Sequence, residues 1–312
     1  MTKTSVQVIQ WIVDTRNLWP EATKPAQLET VAPEYLAILT PEEKKGVLKY
    51  FFIRDAKMSL ASQFLKHYVL SKTLGLPWSA TTITRDPHGK PIYVAPDGSR
   101  PVEFNVSHQN GIVALAAVAH YDGPGAVDVG VDVVCVNERE ARDHKMIETE
   151  GWARFVDMHA DVFGKSETVD LKAVGRLTGQ SKDVLNAHLR KFYALWCLRE
   201  AYVKMTGEAL LAPWLHQLEF QNLRAPEAGH TDASGTLVQT ADDPPSTIIR
   251  EHEVLFKGAK VDDANICLRS LGRDYMTATA VRTPASKEIA LGWDLGPFET
   301  LDLSIILKHA TF

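Results

Sequence analysis

The sequence predicts an α+β protein made of two lobes of similar size. Helix-like and strand-like segments are mixed along the chain, and each side of a Gly- and Pro-containing linker at 121–125 has helices and a few strands. A length of 312 residues is sufficient for two such lobes. We therefore predict an N-terminal lobe over 1–125 and a C-terminal lobe over 126–312, although no internal sequence repeat is present.

The first lobe is predicted to begin with a strand at 6–13, where apolar and polar side chains alternate. The segment 40–43 reads T-P-E-E, a capping box with proline at the first helical position, so a helix starts here. A longer helix is predicted over about 54–74, and Gly75 ends it.

Two further strands are predicted at 102–106 and 112–119, with Ser107, His108 and Gln109 in the loop between them. A loop histidine is usually just solvated. The alternative is a phosphate contact, because an imidazole and a serine hydroxyl beside free backbone N–H groups suit an anion.

The second lobe is predicted to start with a strand at 127–136, followed by helical segments from 140 to 207. Shorter strand-like segments lie at 218–220, 251–256 and 264–271. The Pro-, Gly- and Asp-rich stretch at about 224–246 predicts an exposed loop, and the chain from about 285 to 312 is an ambiguous C-terminal extension that could cover another part.

Composition excludes several classes of protein. A net charge of -5 argues against a nucleic-acid surface, and there is no polybasic membrane anchor, signal peptide or apolar run long enough to span a bilayer. Cys135, Cys197 and Cys267 lie far apart among apolar neighbours, which favours reduced core thiols in a cytoplasmic protein. P-loop, G-x-G-x-x-G, C-x-x-C and G-x-S-x-G motifs are absent from the sequence.

The helix predicted at 192–204 contains the most informative charged residues. Trp196, Glu200 and Lys204 have spacings of four and share one face of a helix that is otherwise largely apolar. Glu200 and Lys204 could simply pair with each other on an exposed surface. In an apolar setting they need other partners, and a metal ion and a phosphorylated ligand would serve.

Asp132 lies in an apolar run of buried-strand type at 129–136. It could be a structural carboxylate that caps a turn or pairs with an arginine. Alternatively, Asp132 and Glu200 could be oxygen ligands for Mg²⁺.

Cations near the first helices and before the first hairpin are weaker candidates. Lys44, Lys45, Lys49, Arg54 and Lys57 could form a solvated helical face or contribute one or two phosphate ligands. Lys90 precedes Pro91, which would hold its backbone in place. The aromatic residues Trp11, Trp19, Trp78, Phe51 and Phe52 are expected in the core.

Three segments resemble, in order, motifs of the phosphopantetheinyl transferases of the larger, surfactin-synthetase-activator type. They are G-K-P at 89–91 with F-N-V-S-H-Q at 104–109, G-V-D-V at 130–133, and W-C-L-R-E-A-Y-V-K at 196–204 followed by Gly207. The third resembles the signature W-x-x-K-E-[SA]-x-x-K, with Arg199 replacing its first lysine. The resemblance extends over about 54–218, and 54–62 is similar to the eukaryotic, fungal-like branch.

The resemblance implies two lobes related by pseudo-two-fold symmetry, with the active site in the cleft between them, and a monomer. It also implies an enzyme, a holo-[acyl-carrier-protein] synthase. This enzyme moves 4′-phosphopantetheine from coenzyme A to a carrier serine and requires Mg²⁺, which Mn²⁺ can replace. The implied partners are acyl and peptidyl carrier domains of fatty-acid, polyketide and nonribosomal-peptide synthases and aminoadipate reductase. The alternatives are a non-catalytic coenzyme A or nucleotide-binding module and a carrier-docking protein.

By the same resemblance, Asp132 and Glu200 hold the metal, and Lys204 contacts a phosphate and stabilises the leaving oxygen. The coenzyme A contacts implied are Arg54, Lys57, Lys90, Pro91, Ser107, His108, Gln109 and Lys204, with Arg54 and Lys57 at the 3′-phosphate. Glu167 matches a family acidic position. Many bacterial members have a third metal-binding carboxylate where this chain has Val134, which leaves two protein carboxylates for the metal.

Overall fold

Two long helices, each packed on a four-stranded sheet, dominate the computed structural model, which describes residues 5–208, 212–232 and 236–311. The helices are α1 (Leu28–Val31), α2 (Pro33–Ala37), α3 (Pro41–Leu48), α4 (Ile53–Leu74), α5 (Glu140–Glu150), α6 (Trp152–Asp157), α7 (Lys165–Lys172), α8 (Lys182–Thr206), α9 (Lys287–Leu291) and α10 (Leu303–Thr311). The strands are β1 (Gln7–Asp14), β2 (Thr84–Arg85), β3 (Pro91–Ile92), β4 (Val102–Gln109), β5 (Ile112–Ala119), β6 (Asp128–Cys135), β7 (Leu218–Gln221), β8 (Ile248–Ile249), β9 (Glu253–Phe256), β10 (Ala259–Lys260), β11 (Asn265–Leu271), β12 (Tyr275–Arg282) and β13 (Glu299–Thr300). The predicted α+β class is confirmed.

The first sheet has the order β13-β1-β5-β4, and α4 packs on one of its faces. Along β5 the residues alternate: Val113, Leu115 and Ala117 face α4, while Ile112 and Ala114 join the apolar layer between this sheet and the next. Such alternation is the consequence of the two-residue period of a strand with both faces buried.

The second sheet has the order β6-β12-β11-β8 and packs between the first sheet and α8. Its strand β6 lies next to β4, where the amide side chains of Asn105 and Gln109 accept hydrogen bonds from the backbone N–H groups of Val131 and Cys135. The molecule is therefore layered helix, sheet, sheet, helix, with β4 and β6 meeting at the centre. Pseudo-two-fold symmetry of the two halves stays a prediction.

Sequence patterns predicted the principal helices and strands well. The T-P-E-E capping box is present, with Thr40 accepting from the backbone of Glu43, and α4 ends at Gly75 in the left-handed conformation. Strand β12, the central partner of β6 and β11, was not predicted. Its alternating Thr and Ala side chains are buried but carry little hydrophobic signal.

The C-terminal extension returns to the first sheet. Residues of β13 pair in parallel with β1, and α10 packs against α4, placing Leu303 and Ile306 in that core. The stretch predicted as an exposed loop at 224–246 also contributes to the interior, since Leu237 and Gln239 are buried. The three cysteines are buried and free, as predicted.

None of the described helices combines the length and apolar character that crossing a membrane requires.

Candidate active site

Asp132 faces the catalytic candidates on α8 because of its register in β6. Val131 and Val133 point towards the first sheet, whereas Val134 packs in the core formed with α8. By the same alternation Asp132 faces α8, where it is only 5 % exposed. A carboxylate this deeply buried requires charged or hydrogen-bonding partners.

Gly130 allows α8 to approach β6 closely enough to supply those partners. A β-carbon at Gly130 would lie 2.0 Å from the carbonyl oxygen of Ala201 and 2.4 Å from the amide nitrogen of Met205. Any side chain here would push the helix away from the strand. The glycine of the G-V-D-V segment thus determines the distance between Asp132 and Lys204.

Lys204, Ser107 and Asp132 form a connected group at the junction of β4, β6 and α8. The ammonium group of Lys204 donates to Oδ1 of Asp132 at 2.6 Å and to Oγ of Ser107 at 2.9 Å. The Ser107 hydroxyl donates to the same carboxylate oxygen at 2.7 Å. Burial acts to lower the pKa of Lys204, but the charges of Asp132 and Glu200 outweigh it and raise that pKa. Lys204 is therefore a permanent cation at this site.

Ser107 and His108 do not lie in a loop, as the sequence had suggested. Strand β4 continues to Gln109, and the hairpin turns at Asn110 and Gly111, both with positive φ. Polar residues at the end of a strand resemble a turn in sequence. Here Ser107 and His108 pair with β5, so they belong to the strand. The strand geometry fixes Ser107 opposite Asp132.

Glu200 lies one helical turn before Lys204 and is half-buried. Among the described residues no hydrogen-bond or ion-pair partner is found for its carboxyl group. Burial raises the pKa of Glu200, the charge of Lys204 offsets part of the rise and that of Asp132 adds to it, and the net pKa is about 7. Two carboxyl groups and one ammonium group therefore share a small volume, with one carboxyl group uncommitted.

These residues fit a magnesium ion. An unpartnered carboxyl group beside a second carboxylate is an all-oxygen donor set, and Mg²⁺ binds through one or two carboxylates while keeping several waters. Within the described ranges no group of three or more His, Cys, Asp or Glu side chains that could hold a metal ion is found, and the side chain two residues after Asp132, Val134, is apolar.

A cavity of about 470 Å³ lies between α3, α4 and the β2–β3 hairpin, and it is lined by two predicted ligand-binding residues, Pro91 and His108. His108 is exposed on β4, and partial desolvation together with Lys204 lowers the pKa of its imidazole. The charges of Lys204 and Asp132 act on the His108 imidazole, so this side of the cavity lies near the Asp132 group.

Three cations, Lys49, Lys66 and Arg85, line the same cavity, together with the carboxylates of Glu42 and Glu43. Lys66 is only 8 % exposed, has no hydrogen-bond or ion-pair partner in the described part of the chain, and burial lowers its pKa to about 8. Lys66 and Arg85 were not singled out from the sequence, because a lysine inside a helix and an arginine before a turn carry no motif. An unpaired, desolvated ammonium group facing a cavity is suited to an anion.

The other predicted ligand-binding cations have structural partners. Lys57 donates to the backbone carbonyls of Leu18 and Trp19 and does not line the cavity, and Lys90 donates to the carbonyl of Val129 at 3.0 Å. Lys90 thereby ties the β3 region to β6.

Arg54 and Gln109 lie at the far end of the β4–β5 hairpin. The Arg54 guanidinium donates to Oδ1 of Asn110 at 3.1 Å and lies 3.3 Å from the carboxylate of Glu138. The side chain of Gln109 donates to the same Glu138 at 2.6 Å and accepts from the backbone of Cys135. Neither residue lines the cation-rich cavity.

Glu167 and Arg199 form a fully buried ion pair away from the Asp132 group. Glu167 also accepts from the backbone of Gly164 and Phe220, and Arg199 donates to the carbonyls of Leu215 and Leu218. The pair therefore fastens α8 to α7 and β7. Its satisfied carboxylate has a structural role and is not a further metal ligand.

Comparison with known proteins agrees with this geometry. Residues 25–120 match the family model for the 4′-phosphopantetheinyl transferase N-terminal domain, and residues 128–259 match that of the 4′-phosphopantetheinyl transferase superfamily. The chain is 44% identical over 306 residues to 4′-phosphopantetheinyl transferase 1 of Fusarium mangiferae, covering 98% of this chain and 96% of that protein. It is 37% identical over 305 residues to 4′-phosphopantetheinyl transferase NpgA of Emericella nidulans, covering 89% and 83%.

A more distant similarity extends to animals. The L-aminoadipate-semialdehyde dehydrogenase-phosphopantetheinyl transferase of Mus musculus is 27% identical over 175 residues, which is 55% of this chain and 49% of the mouse protein. Because the fungal matches extend over nearly the whole chain and both halves match the family models, this protein belongs to the 4′-phosphopantetheinyl transferase superfamily.

Proposed function

We propose that this protein transfers the 4′-phosphopantetheine arm of coenzyme A to a serine hydroxyl of apo acyl or peptidyl carrier domains, in a reaction that depends on Mg²⁺. The products are the holo carrier and adenosine 3′,5′-bisphosphate. The observation that carries this proposal is the buried Asp132–Ser107–Lys204 group with the uncommitted Glu200, near a cavity whose lining includes three cations. Family membership supports the same reaction.

Coenzyme A is proposed to lie with its adenosine 3′-phosphate end in the cavity and its pyrophosphate towards Asp132. Lys49, Lys66 and Arg85 would offset the phosphate charges there, and His108 would contact a phosphate from the strand. Pro91 borders the adenine end, and Lys90 holds the backbone of that region in place through its bond to β6. Ser107 and Gln109 lie on the same strand.

Asp132 and Glu200 would hold the metal, which when bound supplies Lewis-acid polarisation of the pyrophosphate. Lys204 would donate a hydrogen bond to the oxygen on which negative charge develops as the bisphosphate leaves. In the transfer, the serine oxygen forms a bond to the phosphorus of the phosphopantetheine phosphate as the bond from that phosphorus to the bisphosphate oxygen breaks. Positioning and charge neutralisation carry most of the catalysis.

Glu200, or a water that it polarises, would accept the serine proton. In the metal-free site its pKa of about 7 already leaves an appreciable fraction of the carboxyl group deprotonated at neutral pH, and a cation beside it would favour the deprotonated form further. Glu167 cannot take this role because both of its oxygens are bound within the core.

Carrier domains of fatty-acid, polyketide and nonribosomal-peptide synthases and aminoadipate reductase are the proposed partners. The name of the mouse relative refers to an aminoadipate-semialdehyde dehydrogenase, which supports the last of these. A monomer is proposed, because β4, β6 and α8 of one chain supply Ser107, Asp132 and Lys204 together. A cytoplasmic location is proposed because the three cysteines are free and buried, as in a reducing compartment.

The proposal is tested by incubating the protein with an apo carrier domain and coenzyme A, with Mg²⁺, with Mn²⁺ or with EDTA, and weighing the carrier. We expect a phosphopantetheine mass gain with either metal and none with EDTA. Absence of the gain across several carriers would contradict the transfer, whereas a gain in EDTA would contradict only the metal dependence.

Removing one cation from the cavity should weaken coenzyme A binding selectively. For Lys66→Met we expect the KM for coenzyme A to rise about 10-fold or more, because a charge-assisted hydrogen bond contributes roughly 1.5–3 kcal/mol. Arg54→Ala tests in the same way whether Arg54, which the resemblance places at the 3′-phosphate, reaches that group although it does not line the cavity. Lys72→Met on the same helix, away from the cavity, is the matched control.

The comparison substrate is 3′-dephospho-coenzyme A. If a cation contacts the 3′-phosphate, the variant that lacks it should bind coenzyme A more weakly but bind the dephospho form almost as well as the wild type does. Equal losses on both substrates would remove the 3′-phosphate assignment of that residue.

A further inference from the structure

Phe51 and Phe52 were expected in the core, and the structure contradicts this expectation. They are 86 % and 59 % exposed, and their rings contact each other edge to face with centroids 4.9 Å apart. They lie between the last residue of α3 and the first residue of α4, where the short connection leaves both rings outside.

Helix stability does not explain these aromatic residues. Phe52 is the N-cap of α4 and makes no side-chain capping bond. A Ser, Thr, Asp or Asn at an N-cap would stabilise the helix by about 1 kcal/mol relative to an apolar residue. Two large exposed apolar side chains at such a position are typical of a surface that binds another molecule.

The two rings border a groove of about 800 Å³, which we name the Phe51–Phe52 groove. Its lining residues are Thr23, Lys24, Pro25, Ala26, Leu48, Tyr50, Phe51, Phe52, Ile53 and Arg54. The charged members are Lys24 and Arg54, and no carboxylate is among these residues. Arg54 is shared with Glu138 and Asp55, so Lys24 supplies the positive charge that a partner would meet at the rim. An apolar groove with a cation at its edge favours a partner with apolar and acidic side chains.

The groove adjoins the proposed coenzyme A site on two sides. Tyr50 lines both the groove and the cation-rich cavity. Arg54 connects the rim to Asn110 in the turn of the β4–β5 hairpin, three residues after Ser107. A protein that fills the groove would therefore also reach the entrance of the Asp132 group.

We propose that the Phe51–Phe52 groove is a docking surface for the carrier domain, which it binds through an amphipathic segment whose apolar side chains are flanked by carboxylates. This inference rests on the proposed transfer reaction, which brings a protein substrate to the adjoining site. Open apolar grooves of this kind suit the apolar face of a short helix. The aromatic pair supplies the apolar contact, and Lys24 supplies charge at the rim.

The test uses the full chain with Phe51→Ser/Phe52→Ser, and separately Lys24→Glu. Val169→Ser, which replaces another exposed apolar residue on α7, is the control. Binding is measured by fluorescence anisotropy of a labelled apo carrier domain, and KM values for carrier and coenzyme A are measured separately. For the Phe double variant we expect the carrier Kd and KM to rise about 10-fold or more, as for loss of a central aromatic contact. We expect the KM for coenzyme A to change less than about two-fold and the melting temperature to stay unchanged.

Lys24→Glu should weaken carrier binding and make it less sensitive to added salt, because a cation at the rim is removed. An unchanged carrier Kd in the Phe double variant would overturn the proposal, and so would equal rises in the KM values of both substrates. Oligomeric state is measured by sedimentation velocity. If the wild type sediments as a dimer and the Phe double variant as a monomer, the groove binds a second copy of this chain, and the proposal is overturned. If the wild type binds the carrier through the groove but transfers nothing, the proposed reaction fails and the docking surface stands.

Discussion

Asp132→Ala is expected to abolish transfer while the protein stays folded. Asp132 is the only group that contacts both Ser107 and Lys204 in the described structure, and it faces the uncommitted Glu200. Its removal takes away one proposed metal ligand and frees the Lys204 ammonium group from its fixed position. Because loss of a single preorganised charge-stabilising contact costs about 10²–10³-fold in kcat, we expect a loss of at least about 10³-fold here.

The measurement is the rate of mass gain of an apo carrier at saturating coenzyme A, with circular dichroism and melting temperature as folding checks. Asp128→Ala is the matched control, because Asp128 is the first residue of the same strand and pairs there with Arg282. Undiminished turnover in Asp132→Ala would refute the proposed ligand role. A similar loss in Asp128→Ala would instead point to a general requirement for the integrity of β6.

Glu200→Gln is expected to remove most Mg²⁺ binding and its dependence on pH. In the metal-free protein, burial raises the pKa of Glu200 from 4.5 to about 7. The folded state therefore holds a proton that the unfolded chain releases, and stability is lost as pH rises from about 4.5 through 7. A metal ion needs the deprotonated carboxylate, so Mg²⁺ should bind weakly at pH 6 and more tightly at pH 8.

This linkage is measurable without any carrier or coenzyme A. At a Mg²⁺ concentration about 100-fold above the dissociation constant, the wild type should gain roughly 5 °C in melting temperature at pH 8, and clearly less at pH 6. Glu200→Gln should gain little at either pH. Glu150→Gln, an exposed carboxylate on α5, should behave like the wild type. A Mg²⁺ response that persists in Glu200→Gln would show that this carboxylate does not hold the ion.

The sequence predicted that Trp196, Glu200 and Lys204 share one helix face, because a helix has a fixed period and this helix has few other charged residues. Asp132 was readable for a similar reason, as a carboxylate in an apolar strand. The Phe51–Phe52 pair was misjudged, because apolar composition predicts burial on average and does not reveal where a short connection leaves a side chain outside.

Lys66 and Lys57 show most clearly what the sequence could not predict about the site. Both lie on α4, both are charged, and the residues around Lys57 carry the family resemblance. The structure leaves Lys66 unpaired at the cavity and gives Lys57 two carbonyl partners in the loop after β1. The direction in which a helical lysine points depends on the elements packed around it, and local sequence does not specify these.

The amino-acid sequence alone predicted the α+β class, the approximate position of the principal helices and strands, and the candidate residues Asp132, Glu200 and Lys204, because local periodicity and helix-end signals act over a few residues. The tertiary structure decided which groups meet. Placing β4 beside β6 brought Ser107 to Asp132, and Gly130 let α8 approach closely enough for Lys204 to reach the same oxygen. These contacts join residues 25 to 97 positions apart, and such distances close only when both sheets and both long helices pack together.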